Sequence, residues 1–112
     1  MDAAVDETTH DVRIALAGDL DLLVEKDVID ALVRAASTPG ITTMRVDVTE
    51  ITFIDASGLR SLLAGWHAAH DSGIAFELAL TPNGRVAKLL ALVGLDDHFH
   101  VSLLASSGGR SQ

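Results

Sequence analysis

Ser57 is the side chain best placed for chemistry. It sits in "VTEITFIDASGLRSLLAG", residues 48–65, where an apolar run ends in an acid, a small residue, the serine and a glycine. An amphipathic helical pattern follows at once. A hydroxyl at such a joint has three possible uses. It can cap the helix, its oxygen accepting a backbone N–H of the first turn. It can attack as a nucleophile if an oriented base is held against it. It can also accept a phosphoryl group, which adds up to two negative charges and three acceptor oxygens. At the start of a helix that anion is favoured by free N–H groups and the helix dipole. Asp55, two residues earlier, would make a phosphorylated site still more negative toward a bound partner.

Each use leaves a different trace in the neighbouring residues. By position Ser57 fits an N-cap, yet the Glu or Gln of a capping box is missing, since Arg60 stands there. Gly58 in the first turn costs up to ~1 kcal/mol against alanine, so this stretch is not built only to start a helix. Gly58 removes bulk beside the hydroxyl, which would give another protein's active site a close approach. As a nucleophile Ser57 lacks the G-x-S-x-G elbow, the pattern being Ile-Asp-Ala-Ser-Gly. His67 lies ten residues along the same helix, roughly 15 Å away, which leaves His98 and His100 as the bases a serine hydrolase would need. For a metal, His67 and His70 are spaced i, i+3 on a helix, and His98 and His100 share a strand face. They form a tetrahedral site only if the two pairs converge. With no cysteine and no tight ligand motif, rim histidines are the simpler reading, and Trp66 reads as core. Neither a P-loop nor a G-x-G-x-x-G element is present, so no cofactor and no dedicated nucleotide site are expected.

The elements that must position Ser57 follow from hydrophobic spacing. Val12, Ile14 and Leu16 alternate as a strand, with "AAVDE" before it as a short partner strand and Thr8–Asp11 as the turn. From Leu22 to Ala36 the apolar positions Val28, Ile29, Leu32, Val33 and Ala36 repeat as on a helix, and "STPG" at 37–40 stops it. Met44, Val46 and Val48 alternate as a second strand. The alternation then breaks at Ile51, Phe53 and Ile54, so simple strand geometry is expected to end just before Asp55. Leu59, Leu62, Leu63 and Trp66 mark a second helix, Leu62 and Leu63 reading as core, and "DSG" at 71–73 ends it. "IAFELAL" is a buried strand. "TPNG" opens a third helix carrying Val86, Leu89, Leu90 and Val93, with Gly94 as its C′ residue and Leu95 placed for the accompanying apolar contact. "HFHVSLL" is the last strand. The order (β)βαβαβαβ with short connections favours parallel neighbours and predicts an α/β layer.

At 112 residues one domain is the default. An apolar content of 48% argues against disorder. The absence of cysteine excludes disulfides and thiolate chemistry. The acidic start "MDAAVDETTHD" has no apolar h-region, so no signal peptide is expected, and no apolar run approaches the ~20 residues of a membrane helix. A cytoplasmic protein with no membrane contact is the expectation. The formal charge of −8 disfavours nucleic acid, whose binding is dominated by cations on phosphates. It favours a protein partner with a basic surface, although an acidic surface also serves solubility alone.

"DVTEITFIDASGLRSLL" resembles the signature of the STAS domain of bacterial anti-sigma factor antagonists. There a strand ends in Asp-Ser-Ser-Gly-Leu or Asp-Ser-Thr-Gly-Leu and a helix follows. "LAGDLDL", 16–22, resembles the family's Gly-Glu-Leu-Asp stretch, its final acid mapping to Asp21. "TPNGRVAKLLALVGLDDHFHV", 81–101, is similar to the family's last helix and strand. The resemblance covers about residues 10–103. It implies a small STAS-like α/β domain over 1–105, with one mixed, mostly parallel sheet of four to five strands and about three to four helices. The Gly/Ser-rich residues 106–112 read as a flexible tail.

The resemblance also implies a partner switch. Ser57 would be the phosphorylation site, and Asp21, Asp55, Ala56, Ser57, Gly58 and Leu59 the partner-binding set. The partners implied are an anti-sigma factor with serine-kinase activity, which would use ATP and Mg²⁺ itself, and a PPM-type serine phosphatase. The chain would be a monomer or weak dimer and not an enzyme. A non-phosphorylated scaffold or sensory subunit of a signalling assembly is the alternative within the same fold. Ala56 departs from the family's Ser or Thr and leaves Ser57 as the one hydroxyl of the motif. Val24 stands where many relatives carry threonine, which bears on the start of the first helix and on contacts there. The C-terminal helix of several relatives is expected to be absent or very short.

Overall fold

The structure is a computed structural model that describes residues 2–8, 10–94 and 100–103. Five strands form one sheet in the sequential order β1-β2-β3-β4-β5. β1 (Asp2–Glu7) runs antiparallel to β2 (Asp11–Leu20), and the turn between them is closed by the Thr8 N–H on the Asp11 carbonyl at 2.8 Å. β3 (Thr43–Ile54), β4 (Ala75–Leu80) and β5 (His100–Leu103) are each parallel to the strand before. Helices α1 (Glu25–Ala36), α2 (Ala56–Asp71) and α3 (Arg85–Val93) make the crossovers β2–β3, β3–β4 and β4–β5. The mixed, mostly parallel sheet implied by the resemblance is therefore present, with three helices among the described residues. Residues 95–99 and 104–112 lie outside the described residues. With them lie Leu95, His98, the start of the last strand, the tail and the question of a terminal helix.

One face of the sheet carries the core. Val12, Ile14 and Leu16 of β2, Met44, Val46 and Val48 of β3, and Phe76, Leu78 and Leu80 of β4 are buried in one cluster. Val28 and Leu32 of α1, Leu59 and Leu62 of α2, and Val86 and Leu90 of α3 join them. Burying one such side chain is worth roughly 1.5–3 kcal/mol, so this face carries most of the driving force. Leu63 and Trp66 pack at its margin. No helix among the described residues is long and apolar enough to cross a membrane.

Two expectations need correction. α1 starts at Glu25 rather than Leu22, and Leu22 and Leu23 are 65% and 89% exposed in the loop before it. Val33 is exposed while Ala35 faces inward, a small rotation of the apolar stripe. β3 runs as strand to Ile54 and ends just before Asp55, where the sequence placed the change, but it is irregular on the way. Its register against β2 slips twice: Ala15 and Ala17 pair with Asp47 and Glu50, and Gly18 and Asp19 with Ile51 and Phe53. Each slip places one extra residue on β3, a β-bulge. A single extra residue exchanges the two faces of a strand. Burial thus moves from the even positions Met44, Val46 and Val48 to the odd Ile51, and returns to Ile54 after the second bulge. The broken alternation at Ile51, Phe53 and Ile54 reflects two phase changes within the last residues of the strand.

The opposite face of the sheet is polar. Arg45 Nε donates to Glu77 at 2.9 Å across β3 and β4. Arg13 Nη2 donates to Asp47 at 2.6 Å across β2 and β3. Asp47 is buried and also accepts the Thr49 backbone N–H and hydroxyl at 2.9 and 2.7 Å. Burial pushes its carboxyl up, but the bonds from Thr49 and Arg13 outweigh that and hold it below the usual range. A depressed folded-state pKa gives stability that is present above the unfolded value near 3.9 and is lost as pH falls through the folded one. Asp47→Asn should therefore be less stable than wild type at neutral pH, with the gap closing below about pH 4. Urea unfolding of both proteins across that range checks this, and a constant gap at every pH would contradict it.

Candidate functional site

β2 and β3 end side by side, Leu20 opposite Ile54, so the chain segments that follow them share one end of the sheet. Crevices at the carboxyl ends of parallel strands are where α/β folds place ligands and partners. Asp21 and Asp55 are the first residues past the two strands, and the Asp55 N–H donates to the Leu20 carbonyl at 3.4 Å. The two acids expected to flank Ser57 are thus brought to one rim from positions 34 residues apart in sequence.

Asp55 takes the role first assigned by position to Ser57. Its backbone is extended (φ −123°, ψ −169°), and its Oδ1 accepts the Gly58 N–H at 3.0 Å. It is the N-cap of α2, as suits an aspartate. Ser57 lies inside the first turn, two residues past the cap, so its hydroxyl is not used to start the helix. Asp21 shapes the other loop: its Oδ1 accepts the Leu23 N–H at 3.1 Å and its carbonyl the Val24 N–H at 3.2 Å, an Asx-type turn. Val24, at the N-cap of α1, offers no side-chain cap and packs against the core instead.

Gly58 has a different purpose from the one its small size suggested. A Cβ there would lie 2.2 Å from the Leu20 carbonyl oxygen and 2.9 Å from Ile54 Cγ1 and Leu20 Cγ. The open side of this glycine is filled by the end of β2, so it permits helix-on-strand contact rather than the approach of another protein. Gly58 and Leu59 are both buried and hold the first turn from beneath. Ala56 is exposed, and Asp21 and Asp55 are half-buried.

Ser57 is only 8% exposed. Its Oγ accepts a hydrogen bond from Arg60 Nη2 at 2.8 Å, and Arg60 Nε donates to Glu25 Oε2 at 3.0 Å. Arg60 thereby links Ser57 to the first turn of α1. Its side chain is 58% exposed, and an ion pair this exposed is worth under about 1 kcal/mol. A guanidinium cannot take a proton from the serine, so the hydroxyl's partner among the described residues is an electrostatic neighbour and not a base; His98 lies outside the described residues. From the sequence, Arg60 registered only as an absent capping box; the i, i+3 spacing from Ser57 was the available signal. Glu25 had no local signal, because its contact depends on how α1 and α2 pack.

The rim carries apolar side chains that the pattern had assigned elsewhere or left unplaced. Leu22 and Leu23 follow Asp21, and Phe53, paired with Asp19, is 45% exposed at the end of β3. The neighbouring charge is acidic: Asp19, which accepts the Thr52 hydroxyl at 2.9 Å, then Asp21, Glu25 and Asp55. The histidines serve a separate feature of α2. His70 stacks on Trp66 with ring centroids 4.9 Å apart, and His67 meets it edge-on at 5.0 Å. Among the described residues no three His, Cys, Asp or Glu side chains gather to hold a metal.

A strand that runs directly into a helix with a serine in its first turn is the arrangement the sequence motif implied; the acidic cap and the seat on the joined ends of two parallel strands are added by the structure. The chain belongs to the STAS domain family: the family model described as "Mlab, STAS domain" matches residues 3–105. Among solved structures it is similar to an anti-sigma factor antagonist from Mycobacterium paratuberculosis, at 18% identity and a TM-score of 0.75, over 89% of this chain and 83% of that one. It is also similar to the anti-sigma factor antagonist SpoIIAA in its unphosphorylated form, at 20% identity and a TM-score of 0.76, over 95% and 90% of the two chains. The phosphorylated form of the Bacillus cell fate determinant SpoIIAA matches at 19% identity and a TM-score of 0.71, over 95% and 94%. At these identities the likeness is one of fold. No curated protein sequence matches the chain.

Substitutions at Gly58 and Asp55, each with a milder comparison, test the construction of the site. Gly58→Ala should lower stability by about 1–3 kcal/mol or more, since the obstacle is a backbone carbonyl. Gly65→Ala on the same helix should cost less, because its nearest obstacle is the movable Leu32 Cδ1 at 2.6 Å. Equal losses in chemical denaturation would contradict the difference. Asp55→Ala should cost about 0.5–2 kcal/mol and Asp55→Ser much less, because serine can also cap. Thermal melts of the three proteins decide this.

Proposed function

We propose that this protein is an anti-sigma factor antagonist whose partner binding is switched by phosphorylation of Ser57. In the unphosphorylated form it binds an anti-sigma factor that is also a serine kinase, and the sigma factor is released. The kinase transfers the γ-phosphoryl group of ATP to Ser57 Oγ; the hydroxyl proton passes to a base of the kinase, and ADP leaves. A PPM-type phosphatase hydrolyses the phosphoester and resets the switch. The chain itself catalyses neither step.

The observation that carries this reading is the setting of Ser57. Its hydroxyl is spared from capping by Asp55 and lies at the end of the sheet where Asp21 and the exposed Leu22, Leu23 and Phe53 also lie. Such a rim offers a partner apolar contact with acidic neighbours, which suits a basic surface. A phosphate added there brings up to two further charges, and covering those charges with the apolar groups of a bound partner carries a desolvation cost. The anti-sigma factor antagonists of the same fold support the assignment of class.

One observation favours the second reading, a STAS scaffold that binds its partner constitutively. Ser57 is 8% exposed and bonded to Arg60, so a kinase must first displace that arginine. Tagged wild-type, Ser57→Ala and Ser57→Asp proteins separate the two. Captured partners are identified from the native host with phosphosite mapping, and the affinities for the purified partner are then compared. The switch predicts phosphate on Ser57, wild-type-like binding by Ser57→Ala, and at least roughly tenfold weaker binding by Ser57→Asp, about 1.4 kcal/mol. Equal affinities and an unmodified Ser57 would leave the scaffold reading standing instead.

A further inference from the structure

We propose that Arg60 is the phosphate-sensing residue of this domain: on phosphorylation of Ser57 it gives up Glu25 and binds the phosphate. This rests on Ser57 being the phosphoacceptor. The geometry is already prepared. The Nε–Nη2 edge of a guanidinium is one that grips an oxyanion with two parallel hydrogen bonds. In Arg60 that edge is divided: Nη2 donates to Ser57 Oγ at 2.8 Å and Nε to Glu25 Oε2 at 3.0 Å. A phosphoryl group on Oγ replaces a neutral acceptor by a dianion at the same place, within reach of both donors without a change of helix geometry. Glu25, a single negative charge, then competes with a doubly charged group attached one helical turn from Arg60.

The exchange has a structural consequence. Besides Ser57, Arg60 and Glu25, no described side chain is recorded in this hydrogen-bonded set, so Glu25 loses its ion-pair partner when Arg60 turns away. Glu25 is the first residue of α1 and follows directly on the loop that carries Asp21, Leu22 and Leu23. Left beside a new phosphate, its carboxylate is repelled. The phosphate state of Ser57 is thereby passed from α2 to the start of α1, where the exposed leucines stand. Arg60 also partly neutralises the added charge, so the phosphorylated domain stays folded.

Phosphoserine placed at position 57 by genetic encoding in the full chain tests this without any kinase. The second ionisation of the phosphate, near pH 6 in an unperturbed phosphoserine, is followed by ³¹P NMR. Its midpoint in the otherwise wild-type chain should lie lower than in Arg60→Gln by roughly half a unit or more, with both proteins showing native melts. The Arg60 Nε–Hε NMR signal gives the second readout. In the unphosphorylated protein Glu25→Gln should shift it, whereas in the phosphorylated protein the same substitution should leave it nearly unmoved. Equal ³¹P midpoints with and without Arg60, or an Nε–Hε signal that still follows Glu25 when phosphate is present, would overturn the exchange. Either result would leave the partner switch itself untouched, because that depends on kinase action and on partner affinity.

Discussion

The contact on which the site depends is the seating of Gly58 on the carbonyl of Leu20. No side chain fits between them, a Cβ lying 2.2 Å from that oxygen, so the first turn of α2 rests on the very end of β2. The same carbonyl accepts the Asp55 N–H, which makes it the point where β2, β3 and α2 meet. From this one approach the remaining positions follow. Asp55 must be extended to turn from strand into helix, and in that conformation its carboxylate reaches the Gly58 N–H. Ser57 is then carried inside the turn with its oxygen free for Arg60. Close approach at a glycine has no tolerance for added atoms, so the location of the serine is held by packing and not by its own hydrogen bond.

The two bulges of β3 perform a second alignment. A regular strand of this length would keep one set of side chains inward throughout. Here Val48 and Ile51 both join the core across the first bulge, and Ile54 packs against it after the second. The second phase change cancels the first, so Phe53 points outward as it would in a regular strand, while Ile51 faces inward between the bulges; the two extra residues bring Ile54 opposite Leu20 and so deliver Asp55 to the rim beside the end of β2. Bulges commonly re-aim side chains near functional sites, and in this sheet they set which residues the end of the strand presents.

Charge is organised differently on the two sides of the molecule. On the open face of the sheet, Asp47 is buried and fully engaged by Arg13 and Thr49, a fixed set of bonds between neighbouring strands. At the rim, Arg60 is exposed and shared between a neutral hydroxyl and Glu25. Buried, satisfied polar groups are costly to disturb, while an exposed ion pair is weak and easily exchanged. A chain of net charge −8 with a weakly tied arginine next to its one motif serine has rigidity in the sheet and freedom where a charge would be added.

Much of the fold could be read from spacing alone. The period-2 runs of β2 and β4 and the 3-1-3 spacing of apolar residues on α2 and α3 located those elements, and Gly94 ended α3 in the left-handed conformation (φ 75°), because each of these signals is local. The motif at 55–59 placed a serine between strand and helix for the same reason. What residues 55–60 do was legible only in part. The capping role belonged to Asp55 and the hydroxyl was held by Arg60, both local contacts that several residues of the motif could have made; the packing role of Gly58 and the tie of Arg60 to Glu25 depend on atoms brought in by β2 and α1. The bulges of β3 were not legible, because a bulge is defined by the partner strand and its own sequence shows only a lost alternation. The sequence by itself therefore determined the order of elements and the place of the motif serine between strand and helix. The tertiary structure decided what surrounds it, since Leu20 meets Gly58 and Glu25 meets Arg60 only when parallel strands end together and two helices pack across them.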